Sequence, residues 1–231
     1  MKKILFVVLL LLFIFLLFDK YSVKNKDKEV QEIFHEEKVN NEQPKQEKLP
    51  QFAELQQKNS EIIGWIEVPN TNIDYPVVQT DNNEFYLDHD FQREPEIRGA
   101  IFMDYRNASD ASDRHTIIYG HQSRLDIMFT ELNKFREQDF FEKNETIYLT
   151  TLYEEQTWLV FAAYETSTNF HYIVTEFRSD ESFLSTVEQF QTRSKYERDV
   201  NITSDDQILT LSTCVYGVDD MRFVVQAKRI K

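Results

Sequence analysis

From residue 64 onward, short apolar runs alternate with turn residues. "GWIEV" (64–68), "NIDYPVV" (72–78), "GAIFM" (99–103), "HTIIYG" (115–120), "TIYLTT" (146–151), "TWLVFAA" (157–163), "QILTLST" (207–213) and "RFVVQA" (222–227) are rich in β-branched and aromatic residues. They predict about eight strands, with Pro76 placed at an edge or a bulge. Two stretches change period. Met128, Leu132 and Phe135 fall at i, i+4, i+7, and Phe183, Leu184, Val187 and Phe190 follow the possible caps Ser179 and Asp180, so each predicts a helix. Pro50 suits the first turn of a short helix carrying Phe52 and Leu55. Strands that do not alternate regularly with helices argue against a doubly wound parallel sheet. They predict a mainly β fold, an antiparallel barrel or sandwich with helical insertions and an N-terminal helix.

The N-terminal part has another pattern. Residues 4–18, "ILFVVLLLLFIFLLF", are uninterruptedly apolar behind Lys2 and Lys3, with no small residue before Lys20 to suit a cleavage site. Residues 1–20 are therefore expected to be an uncleaved signal-anchor, placing the chain in the cell membrane as a single-pass protein with its large domain outside. The run is about 22 Å long as a helix against a hydrocarbon core of about 30 Å, which calls for local thinning and snorkelling of Lys3 and Lys20. Residues 21–50 are rich in Lys, Glu, Asn and Gln and read as a stalk, disordered or partly helical near Val30–Val39. Residues 51–231 are expected to form the main folded domain.

Composition narrows the classes. Hydrophobic residues make up 41% and aromatics 14%, enough for a sizeable core. The formal charge is -14, and residues 51–231 carry 17 Lys/Arg against 32 Asp/Glu. Such a domain repels phosphate backbones, so no nucleic-acid partner is expected, while cationic peptides or amines are mildly attracted. A solvated acidic surface kept for solubility explains the same charge. Cys214, the single cysteine, excludes an intramolecular disulfide and in an exported protein is a free or intermolecularly paired thiol. One Cys and scattered His match no zinc spacing, so neither metal nor cofactor is expected.

Cys214 lies in "TLSTCVYG" (210–217). If 207–213 is a strand, Thr210, Ser212 and Cys214 share one face and Leu209, Leu211 and Thr213 the other. The leucines take the core and the polar set faces a groove, so Cys214 is a nucleophile candidate rather than filler. A turn over 215–221 returns "RFVVQA" as the partner strand and can set Arg222 opposite Cys214. A guanidinium there favours a thiolate and can hold an oxyanion. Among His35, His89, His115, His121 and His171, His121 ends a strand at the sheet edge and is the candidate base. His35 falls in the stalk, His115 at the strand's other end and His171 in a polar connection.

These residues resemble the sortase family. "TLSTC" resembles the signature TLxTC, and the order His121, Cys214, Arg222 is similar to the sortase catalytic set. "GWIEVPNTNIDYPVVQ", "FYLDHDF", "GAIFMDYRN" and "IIYGH", with the long insertion between "TWLVFAA" and "QILTLST", resemble class B sortases in particular over roughly residues 51–231. The resemblance implies a closed eight-stranded sortase-type β-barrel in a membrane-anchored cysteine transpeptidase of a Gram-positive bacterium. It also implies cleavage of a sorting-signal peptide of a surface protein after Thr, and transfer of the acyl group to a peptidoglycan or lipid-linked precursor amine. Cys214 is then the nucleophile, His121 the general acid/base and Arg222 the oxyanion and positioning residue, with Ser212 and Leu87 lining the peptide groove. Val215 and Tyr216 follow the cysteine where some class B members carry acidic residues, and Gln122 follows His121 where Asn is common. A cysteine hydrolase acting on wall peptides and a non-catalytic surface-binding module are the alternatives.

Overall fold

The computed structural model describes residues 6, 9–11, 13, 14, 17, 21, 25, 26, 28–35 and 48–231 except 124, 216 and 219. Its strands are β1 (Ile62–Glu67), β2 (Asp74–Val78), β3 (Ile101–Met103), β4 (His115–Tyr119), β5 (Thr146–Thr151), β6 (Glu155–Ser167), β7 (Ile208–Cys214) and β8 (Met221–Arg229). They close into a barrel in the order β1-β2-β3-β4-β7-β8-β6-β5. The pairings β2–β3 and β4–β7 are parallel, and the other six are antiparallel. The closed eight-stranded barrel implied by the resemblance is the architecture the molecule adopts. Pro76 lies opposite Trp65 on β1, and pairing with β3 begins only at Val77. The missing amide therefore falls where β2 has no partner on that side.

The barrel interior takes alternate residues from every strand, among them Ile66, Val77, Ile118, Leu149, Leu211 and Val225, as a period of two requires. A second cluster gathers Phe52, Leu55, Trp65, Tyr86 and Phe102 at the β1–β2–β3 side. The helix Phe52–Lys58 (α2) supplies Phe52 and Leu55 to it. The third lies outside the barrel wall, where the helix Asp180–Arg193 (α4) covers β6 and β8 with Phe183, Val187 and Phe190. Ser179 caps α4 by accepting from the Ser182 amide.

The expected helix over Met128–Phe135 is a 3-10 run, Thr130–Arg136. Met128 stands before it at φ 52, which no helical residue adopts. Phe129, Leu132 and Phe135 are fully buried, beside the nearly buried Met128, and their repeat of three is the 3-10 period. A short helix unannounced by the hydrophobic pattern follows at Gln138–Lys143 (α3).

The expected single-pass anchor, with its cell-membrane location and extracellular domain, is corrected. Among the described residues no helix is long and apolar enough to cross a membrane. Fifteen apolar residues reach only about 22 Å of the roughly 30 Å required. Most of that run, residues 36–47 of the expected stalk, and Tyr216 lie outside the described residues. Residues 28–35 are helical (α1) and dock on the barrel. Val30 and Phe34 are buried, and the Phe34 ring stacks on Trp65 at 4.3 Å. Gln31 donates to the Asp74 carbonyl at 2.8 Å, and His35 Nε2 lies 3.1 Å from the Asp74 carboxylate.

Candidate active site

β7 is the strand from which the site is built. Leu209 and Leu211 point into the barrel, fully buried. The opposite face carries Thr210, Ser212 and Cys214, as alternation requires, but only Cys214 is exposed. The connection between β6 and α4 folds over this face, so the polar set meets protein rather than an open groove, except at its end.

The β7–β8 register pairs Cys214 with Arg222. The Val215 amide donates to the Met221 carbonyl at 3.1 Å, which makes 214–222 a non-hydrogen-bonded pair. Its Cα atoms sit about 4.5 Å apart with side chains at their closest. Gly217 at φ 76 and Asp220 at φ 60 turn the chain between the strands; the left-handed region suits glycine. The Arg222 guanidinium also donates to the Met221 carbonyl at 2.9 Å.

β4 runs parallel to β7 with Tyr119 level with Ser212, and the Gly120 amide donates to the Ser212 carbonyl at 3.2 Å. His121 therefore leaves the sheet at the level of Cys214. A Cβ on Gly120 would stand 2.5 Å from Ile101 Cδ1 and 2.7 Å from Phe129 Cγ, so the chain can pass here only as glycine. His121 Nε2 bonds to the Leu87 carbonyl at 2.8 Å. The carbonyl can only accept, so Nε2 carries a proton and Nδ1 is the ring nitrogen left to exchange one in the cleft.

The five residues singled out in the sequence, Leu87, His121, Ser212, Cys214 and Arg222, all line one cleft of about 300 Å³. Leu87 enters it twice, as an exposed side chain and through its carbonyl on His121. A thiol, an imidazole and a guanidinium on one concave surface are the equipment for acyl transfer through sulfur. His115 is not part of this wall. It is fully buried, with its rings' neighbours Phe177 and Phe190. Among the described residues no group of three His, Cys, Asp or Glu side chains could hold a metal ion.

Sequence reasoning missed much of the cleft. Asn83, Phe102, Thr168, Phe170, Tyr172 and Ile173 line it, as does His171, set aside above as part of a polar connection. The Tyr172 hydroxyl lies 2.8 Å from Ser212 Oγ. Burial pushes the Tyr172 phenol up; the Ser212 bond and Arg222 oppose this, and Cys214 adds to it. It therefore stays a neutral O–H at the edge of the site. The available signal was "NFHYIV" (169–174), whose apolar content is too high for a solvated loop.

The sortase domain model matches residues 66–230. Sortase B of Staphylococcus aureus is 40% identical over 184 residues, spanning 79% of this chain and 75% of that protein. The crystal structure of sortase B from Bacillus anthracis superposes with a TM-score of 0.84 at 39% identity, covering 91% of this chain and 97% of the other. A Staphylococcus aureus sortase B–substrate complex superposes with a TM-score of 0.86 at 35% identity, covering 93% and 99%. The eight-stranded barrel and the thiol-bearing cleft are those of a cysteine transpeptidase. The chain belongs to the sortase family, class B.

Proposed function

We propose that this sortase cleaves the sorting-signal peptide of a surface protein after its Thr and joins the acyl group, through a Cys214 thioester, to a peptidoglycan or precursor amine. The observation that supports it most is the Cys214–Arg222 register beside His121 in one cleft. That a Staphylococcus aureus relative was solved as a substrate complex supports peptide binding in the corresponding cleft here.

In the first step the Cys214 thiol passes its proton to His121 Nδ1 and Sγ attacks the Thr carbonyl carbon. Arg222 donates to the resulting oxyanion, where fixed donors are most effective. The C–N bond then breaks, and His121 gives a proton to the departing amine. In the second step an amine attacks the thioester, His121 accepts its proton, the C–S bond breaks and Cys214 is regenerated. Ser212 and Leu87 line the peptide groove, with Leu87 also holding His121. Residues 51–231 form the catalytic domain in this reading.

The test mixes the full chain with sorting-type peptides containing Thr and an amine, and follows ligated product by mass spectrometry. A product joined at Thr, absent with Cys214→Ala, is expected. Peptide hydrolysis that ignores added amine would replace transpeptidation with hydrolysis. Undiminished ligation by Cys214→Ala would sink the proposal.

A further inference from the structure

The cleft wall formed by residues 171–177 has neither helix nor strand, so no backbone ladder sets its position. Three consecutive residues of it are instead held by three different parts of the barrel. The Tyr172 hydroxyl bonds to Ser212 on β7 at 2.8 Å. The Ile173 carbonyl accepts from Arg106 Nη2 at 3.2 Å. The Val174 carbonyl accepts from His115 Nδ1 at 2.7 Å. Tyr172 and Ile173 themselves line the cleft.

Both clamps are built to hold one geometry. Arg106 forks onto Asp104, with Nε 2.8 Å from Oδ1 and Nη2 2.7 Å from Oδ2. Asp104 is fully buried and also accepts from Tyr119 at 2.8 Å and Asn83 at 3.0 Å, two more residues of the cleft. One carboxylate thus ties three parts of the cleft to a guanidinium that can neither rotate nor lose its charge. His115 is tied from its other side, because Nε2 lies 2.7 Å from Thr210 Oγ1. Thr210 Oγ1 in turn accepts from Gln226 at 3.1 Å. With Nδ1 donating to Val174, Nε2 accepts the Thr210 hydroxyl proton, and the ring's tautomer and tilt are set from both ends.

We propose that Arg106 and His115 are positioning residues for the transpeptidation site, fixing the 171–177 wall and so the shape of the cleft that receives the acyl-donor peptide. Neither touches the reacting atoms. Both act through the Ile173 and Val174 carbonyls. The proposal rests on the sortase reading for its substrate, but the clamp can be read out independently.

The experiment uses the full chain with His115→Phe, His115→Asn and Arg106→Lys. Phe keeps a ring but donates nothing to Val174; Asn keeps a donor near the place of Nδ1. Lys keeps a charge for Asp104 but cannot fork to Ile173. Amide hydrogen exchange over 168–178 should quicken about tenfold in His115→Phe and Arg106→Lys, with the barrel strands unchanged. For a Thr-containing peptide that the wild type ligates, KM should rise about five- to tenfold with kcat within about twofold. Alkylation of Cys214 by iodoacetamide should keep its wild-type rate. His115→Asn should recover most of the peptide affinity, which a purely structural role would not require. Folded His115→Phe and Arg106→Lys proteins with wild-type exchange and KM would overturn the proposal. If His115→Phe does not fold, Arg106→Lys decides, since that side chain is one-third exposed. If the wild type ligates no peptide yet the exchange contrast remains, the transpeptidase reading fails and the clamp stands.

Discussion

Cys214 and Arg222 face one another across a non-hydrogen-bonded strand pair, and this closeness sets the outcome at single residues. Cys214→Ala is expected to reduce turnover to background, because no other thiol exists in the chain. Arg222→Lys should lower kcat by about 100-fold, since a point charge does not reproduce the planar fork at the oxyanion. Single-turnover assays of acylation measure both, and near-wild-type kcat in Arg222→Lys would remove that residue from the oxyanion site. A second residue-scale effect belongs to His115. Burial lowers its pKa to about 4, against the Val174 bond, which raises it. Above pH 6.5 the ring is neutral in both folded and unfolded chains. As pH falls from about 6.5 to about 4 the unfolded chain takes up a proton that the folded chain refuses, and stability drops by up to roughly 3 kcal/mol. Below about 4 this contribution is flat. Nearby Asp104 moves the other way within its own range: burial would raise its carboxyl, but bonds from Arg106 and Tyr119 outweigh that and hold it below the usual value. Urea denaturation from pH 7 to 4 should show the decline in the wild type and a shallower one in His115→Asn. Equal slopes would mean other groups cause it.

At the scale of elements, α1 behaves as part of the folded domain. Phe34 is 1% exposed, stacked on Trp65 and edge-on to Phe52 at 5.6 Å. Phe34→Ala is expected to cost about 3 kcal/mol, by lost transfer energy and the cavity left beside the indole. It should also shift the tryptophan emission to the red as water reaches Trp65. Unchanged emission and urea midpoint would show that α1 is not docked in solution. The same helix illustrates what was and was not legible. Val30, Ile33 and Phe34 sit in a stretch dominated by charged and amide residues, and three apolar residues within little more than one turn make too short a stripe to signal burial. The strands were legible because their alternation is local. The Met128–Phe135 pattern announced an element but not its pitch: a buried set three apart at Phe129, Leu132 and Phe135 was hidden behind a four-residue spacing from Met128.

For the whole molecule, the excess of acidic residues over 51–231 produces a negative field with some screening range. A cationic amine acceptor is drawn toward it, so its KM should rise about two- to fivefold as ionic strength goes from about 0.02 to 0.5 M, as the Debye length shrinks. A neutral hydroxylamine-type acceptor should show little change. Parallel salt dependence for both acceptors would assign the effect to the peptide or the enzyme instead. Closure of the barrel also explains why the site has its form. β4 and β7 are 89 residues apart at their nearest ends, Tyr119 and Ile208, yet their parallel pairing brings His121 level with Cys214.

The sequence by itself determined the strands, the inward leucines of β7 and the shared face of Ser212 and Cys214, because period-two alternation and a tight turn are local and act on neighbouring residues; Leu87 came only from the family resemblance. The Cys214–Arg222 opposition follows from the same locality, as a hairpin register across a short turn. Tertiary structure alone decided that the polar face of β7 is roofed, that His115 is a buried clamp rather than a strand-end ring, and that Leu87 serves His121 through its carbonyl. The first two depend on where an irregular connection lies on a distant strand, and its position is held by Arg106, His115 and Tyr172, contacts between residues 40 to 67 apart; the third spans 34 residues, and no sequence period encodes any of them.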